Sequence, residues 1–124
     1  MPRILLVDDE ERVINFLAVK LKLAGFDVAT AGNGVHALAL AKATNPDIVL
    51  LDLVMPDLGG LDVLKELRVF SKAPVAIMSA RQGASEKAKE AGANGFIAKP
   101  FDMDKLIDKL KTTIAAPEGP YFTI

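Results

Sequence analysis

The stretch Ile48-Val49-Leu50-Leu51-Asp52-Leu53-Val54-Met55-Pro56 decides the fold. Branched aliphatics, all good strand formers, run straight into a carboxylate and then a proline turn. The run is short, and it is bounded by Asn45-Pro46-Asp47 before it and Pro56-Asp57-Leu58-Gly59-Gly60 after it. That pattern predicts a strand buried on both faces. Asp52 then stands where a central strand leaves the core, the edge at which open α/β sheets bind their ligands.

Working outward, the same pattern recurs. Ile4-Leu5-Leu6-Val7 is a second apolar run and also ends in carboxylates, Asp8 and Asp9. Glu10 and Glu11 favour the positive end of a starting helix, Ile14, Leu17, Leu21 and Ala24 follow at helical spacing, and Gly25 is placed to stop it. Phe26 to Ala31 alternates weakly and reads as a strand near an edge. After the turn Gly32-Asn33-Gly34, Val35 to Lys42 predicts a short helix with Ala37, Leu38 and Ala41 inward. Beyond Gly60, Leu61, Leu64 and Leu67 mark a third helix. Val75-Ala76-Ile77-Met78 is a fourth run ending at Ser79, and Ser85 to Ala91 reads as an Ala-rich helix with little large apolar surface. The turn Gly92-Ala93-Asn94-Gly95 leads to a fifth run, Phe96-Ile97-Ala98, ending at Lys99-Pro100. Met103, Leu106, Ile107, Leu110 and Ile114 form the last helical stripe. Residues 1–116 are thus expected to form one domain, with 117–124 a C-terminal tail or the start of a linker.

Strand and helix alternate five times, which predicts a parallel sheet with helices on both faces. Right-handed crossovers place all strand C-termini on one edge. Asp8/Asp9, Asp52, Ser79 and Lys99 would therefore meet in one crevice.

Bulk composition narrows the classes. The chain has 124 residues, 51% of them hydrophobic and 25% charged, in the range of a globular domain. Fifteen basic against sixteen acidic residues argue against direct nucleic-acid binding or an anionic membrane as partner. The absence of cysteine excludes disulfides, thiolate chemistry and Cys-based metal sites, and is compatible with a cytoplasmic location. No apolar run approaches the roughly 18 residues of a membrane span. The single histidine, His36, lies on a short helix far from the crevice and reads as a surface residue.

Clustered carboxylates repel one another unless a cation joins them. Oxygen-only ligation selects a hard ion, Mg²⁺ or Mn²⁺, and leaves room for a phosphate oxygen. Lys99 and Ser79 add a positive charge and a hydroxyl suited to phosphoryl oxygens. A carboxylate in that setting is itself a candidate phosphoryl acceptor.

Val7-Asp8-Asp9-Glu10, Asp52 with Met55-Pro56 and Gly60 after it, Ser79-Ala80, and Phe96-x-x-Lys99-Pro100-Phe101 together resemble the receiver domain of two-component response regulators. The resemblance spans residues 3 to about 116. It implies a flavodoxin-like, doubly wound sheet of five parallel strands in order 2-1-3-4-5 with five helices. It implies that Asp52 accepts a phosphoryl group from a phosphohistidine on a sensor histidine kinase or phosphotransfer protein. Asp9 and Asp52 would bind Mg²⁺ directly, Asp8 through water, and the Val54 carbonyl would complete the protein ligands. Ser79 and Lys99, the latter on a cis bond to Pro100, would contact the phosphoryl group. Phe96 would be the switch aromatic, turning inward as Ser79 moves. The readout face would be the fourth helix, fifth strand and fifth helix, acting on a downstream effector or through a phosphorylation-dependent dimer. On this reading the chain is a signalling module whose only chemistry is self-catalysed phosphoryl acceptance and slow hydrolysis, not an enzyme acting on an external substrate.

Alternatives remain in other classes. An Asp-nucleophile, Mg²⁺-dependent phosphatase would need a second acid two residues after Asp52, where Val54 stands. A flavin binder of this topology would need a Gly/Ser/Thr-rich phosphate loop where Asp8-Asp9-Glu10-Glu11 stands. A pseudo-receiver would be an interaction module without phosphorylation.

Overall fold

The computed structural model describes residues 1–124. Strands and helices alternate: β1 (Arg3–Val7), α1 (Glu11–Leu23), β2 (Asp27–Ala31), α2 (Gly34–Thr44), β3 (Ile48–Asp52), α3 (Gly60–Phe70), β4 (Val75–Ser79), α4 (Ala84–Glu90), β5 (Gly95–Ala98), α5 (Met103–Ala115) and β6 (Phe122–Thr123). All pairings are parallel, in the order β2-β1-β3-β4-β5-β6. The first five follow the expected order, and the weakly alternating β2 lies at an edge.

The central strands are apolar throughout because both of their faces are covered. Side chains alternate across a strand, so Leu5, Val7, Val49, Leu51, Val75 and Ile77 point to one core layer, shared with α2, α3 and α4. Their neighbours Ile4, Leu6, Ile48, Leu50, Ala76 and Met78 fill the other, under α1 and α5. No helix is long and apolar enough to cross a membrane.

Helix ends follow local chemistry. Asn33 caps α2 by accepting from the His36 N–H at 2.8 Å, and Asp102 caps α5 by accepting from Asp104 N and Lys105 N. Asp57, beyond the β3 end, accepts from Gly34 N and Val35 N, and these bonds hold its carboxyl below the usual range. On α3 the buried side chains are Val63, Leu64 and Leu67, after Gly60 at its buried start, with Leu61 only half-buried. A three-residue step falls short of a full turn by about 60°, so the expected Leu61, Leu64, Leu67 stripe drifts off the core and Val63 takes its upper place.

The larger difference lies at the end of the chain. Part of the segment expected as a tail or linker returns to the sheet as β6, a sixth strand beside β5. Pro117, Gly119 and Pro120 hide any periodicity, and too few residues follow them for alternation to show.

Candidate functional site

The site lies at the C-terminal edge of the sheet. Asp52 is the last residue of β3, and Asp8 and Asp9 follow β1 directly. The β1–β3 register pairs Val7 with Leu51, so the next residues, Asp8 and Asp52, come side by side. Carboxylate oxygens of Asp8, Asp9 and Asp52 lie within 4.8 Å of one another. Asp8 is fully buried and Asp52 is 8% exposed, while Asp9 is open to solvent.

Lys99 follows β5 and reaches across β4 to both buried acids. Its Nζ lies 3.0 Å from Asp8 Oδ2 and 3.1 Å from Asp52 Oδ1. Adjacent strands are about 4.8 Å apart, so only a long cationic side chain spans that gap. The Lys99–Pro100 peptide is cis. Asp8 Oδ1 accepts from the Glu10 N–H at 2.9 Å, which fixes its carboxylate plane. Asp52 Oδ2 takes no hydrogen bond from the protein.

Ser79 closes β4, and its carbonyl accepts from Lys99 N at 3.0 Å. Its Oγ accepts from Arg81 N at 3.0 Å and makes no bond to Asp52. Phe96 is buried, so the ring already points inward while Ser79 is engaged with its own loop. Val54 lies in the loop after β3, and the residue is 52% exposed. His36 is exposed on α2, outside the site.

Electrostatics follow from this crowding. Burial pushes the Asp52 carboxyl above its ordinary value, Asp8 and Asp9 push it further, and Lys99 opposes them. For Lys99, burial works against the charge, but its hydrogen bond to Asp8 and the nearby Asp52 charge outweigh it, so the ammonium titrates above its ordinary range. Three carboxylates against one ammonium leave a deficit of positive charge that a hard cation would correct. The donors are all oxygen, which fits Mg²⁺ or Mn²⁺.

A stability prediction arises here. The folded chain holds the Asp52 proton more tightly than the unfolded chain, so this group's contribution is lost as pH rises from 3.8 through the raised value. Asp52→Asn removes that loss. In thermal unfolding without Mg²⁺ at neutral pH, the variant is expected to melt about 3–5 °C higher than wild type. The gain should vanish below 3.8, where the carboxyl is protonated in both states.

A parallel sheet that brings three aspartates and one lysine to its C-terminal edge defines an open α/β module with a cation-competent crevice at the strand ends. Residues 4–111 match the response regulator receiver domain family, and the chain belongs to that family. It is 40% identical over 116 residues to the transcriptional regulatory protein KdpE of Mycobacterium tuberculosis, covering 92% of this chain and 51% of that protein. It is 39% identical to PrrA of Mycobacterium bovis over 91% of this chain and 50% of that one. The chain spans about half the length of the curated relatives it matches. Among solved structures, the Francisella response regulator 1452 receiver domain superposes with a TM-score of 0.88 at 30% identity, covering 95% of this chain and all of that one. The receiver domain of NtrX from Brucella abortus does so at 0.85 and 31% identity, covering 91% and 98%.

Sequence reasoning named the groups at the site but missed what supports them. The contact of Gly60 with the Asp52 backbone and the Glu10 N–H bond to Asp8 are tertiary and local geometry that no residue pattern displays.

Proposed function

We propose that Asp52 is a phosphoryl acceptor, that the donor is a phosphohistidine on a sensor kinase or phosphotransfer protein, and that the modified domain signals to a downstream effector. The observation that supports this best is the meeting of Asp8, Asp9 and Asp52 with Lys99 at one sheet edge. Asp52 Oδ2 attacks phosphorus, a P–O bond forms as the donor P–N bond breaks, and the imidazole leaves with its electron pair and takes up a proton. A raised carboxyl pKa makes the oxygen a stronger nucleophile. Lys99 is already aimed at Oδ1 and can follow the new phosphoryl oxygens in a buried setting where its charge acts strongly. Bound at Asp9, Asp52 and the Val54 carbonyl, with Asp8 acting through water, Mg²⁺ would supply the further charge that the phosphoryl oxygens need. Ser79 Oγ exchanges its Arg81 partner for a phosphoryl oxygen. The apolar Val54 side chain offers no hydrogen bond to a water attacking the acyl phosphate.

Exposed Phe16, Val19 and Leu23 on α1, spaced by three and four residues, leave an apolar stripe on the helix that starts beside the site. It is suited to docking a donor helix.

The test is intact mass after incubation with a small acyl-phosphate donor, with and without Mg²⁺. Wild type is expected to gain about one phosphoryl group only with Mg²⁺, and Asp52→Asn is expected to gain none. No gain in wild type would point instead to a pseudo-receiver.

A further inference from the structure

We propose that residues 121–124 are a built-in occupant of the β5 edge, masking the α4–β5–α5 face until phosphorylation of Asp52 releases them. The release rests on the phosphoacceptor reading above, whereas the masking does not.

The segment is held in strand register. Phe122 N donates to Asn94 O, Ile124 N to Phe96 O, and Ala98 N to Ile124 O at 2.8 Å. These bonds consume the donors and acceptors that β5 would otherwise show to a partner strand. Side chains alternate: Phe122 and Ile124 pack on the α1/α5 layer, and Tyr121 packs on the layer that contains Phe96. Lys89 of α4 lies over the Tyr121 ring at 5.6 Å and Lys109 of α5 over the Phe122 ring at 5.4 Å, so both flanking helices engage it. Gly95 provides the seat. A Cβ there would overlap the Phe122 ring.

The latch is Tyr121. Its hydroxyl donates to the Ser85 carbonyl at 2.8 Å and lies 3.0 Å from Ser85 Oγ, in the first turn of α4. That helix buries only Ala84 and Ala88, so little else anchors it. Ser79 lies at the other end of the short loop leading to α4, with Oγ bound to Arg81 N. Drawing Ser79 toward a phosphoryl group on Asp52 breaks that bond and pulls the loop, and with it Ser85, away from Tyr121. Ala98, whose N–H binds the segment, directly precedes Lys99, so the other edge of the seat is tied to the site as well.

Amide exchange of the full chain, read by NMR alongside intact mass, tests both parts. In the unphosphorylated protein, Ala98 and Ile124 amides should be protected, and Gly95→Ala and Tyr121→Phe should each speed their exchange about tenfold. Leu6 and Leu50 amides, in strands distant from the seat, should keep wild-type rates and so exclude global unfolding. With an acyl-phosphate donor and Mg²⁺, wild type should show the same acceleration at Ala98 and Ile124, and Asp52→Asn should not. Unchanged Ala98 exchange in both variants would overturn the masking. A gain of the phosphoryl mass with unchanged Ala98 exchange would overturn the release alone. No gain in mass would overturn the phosphoacceptor reading and the release together, and the two variants would still decide the masking.

Discussion

Lys99→Ala is expected to lower folding stability by about 3–5 kcal/mol, the usual cost of removing one partner from a buried ion pair. The attraction that is lost is the smaller part of the effect. Lys99 Nζ lies 3.0 and 3.1 Å from two acids, of which Asp8 is fully buried and Asp52 nearly so. Without the ammonium, both carboxylates stay desolvated and face each other with Asp9 close by. Denaturant unfolding at neutral pH should show a lower midpoint with an unchanged slope. Lys99 holds its proton more tightly folded than unfolded, so its contribution is complete below 10.5 and is lost as pH rises through the raised value. The wild-type advantage over the variant should therefore shrink in strong alkali. Mg²⁺ should recover part of the stability of the variant, because the ion and the ammonium serve the same carboxylates. A midpoint within experimental scatter of wild type would contradict the role given to Lys99. The same logic gives Asp52→Asn the opposite sign, since it removes a charge from the crowded side.

Gly60→Ala is expected to destabilise the fold by at least about 2 kcal/mol, against the direction that helix propensity alone predicts. Alanine at an ordinary helical position would gain up to about 1 kcal/mol over glycine. Here a Cβ would collide with the Asp52 carbonyl oxygen and come within 2.9 Å of Leu53 Cα, both backbone atoms that cannot rotate away. Gly60 N also donates to the Leu53 carbonyl at 2.8 Å, tying the start of α3 to the residue after Asp52. Relief of the clash must move that loop, and the Asp52 carboxylate with it. Thermal unfolding should show the lower stability, and acyl-phosphate labelling followed by intact mass should show slower phosphoryl gain. A variant as stable as wild type would mean that the contact relaxes without cost.

Much of the fold was legible because it rests on local pattern. Fully apolar runs such as Ile48 to Leu51 and Ile4 to Val7 can be satisfied only by strands covered on both faces, and their alternation with helical stripes requires parallel crossovers. Handedness then brings Asp8, Asp9, Asp52, Ser79 and Lys99 to one edge without any knowledge of distances. The α3 stripe was less legible because its three-residue spacing does not fix which side faces the sheet.

The sequence by itself thus determined the parallel α/β architecture and the set of polar groups at the C-terminal edge, since both follow from periodicity and chain direction. Only the tertiary structure decided that Lys99 bridges Asp8 and Asp52, that Ser79 binds its own loop while Phe96 is inward, and that residues 121–124 return to β5. The Lys99 bridge and the return to β5 depend on residues far apart in the chain meeting in space: Lys99 with Asp8 and Tyr121 with Ser85 at hydrogen-bond distance, and Phe122 packed over Gly95. Contacts of that kind leave no period in a sequence, because neither partner carries a sign of the other until the chain closes.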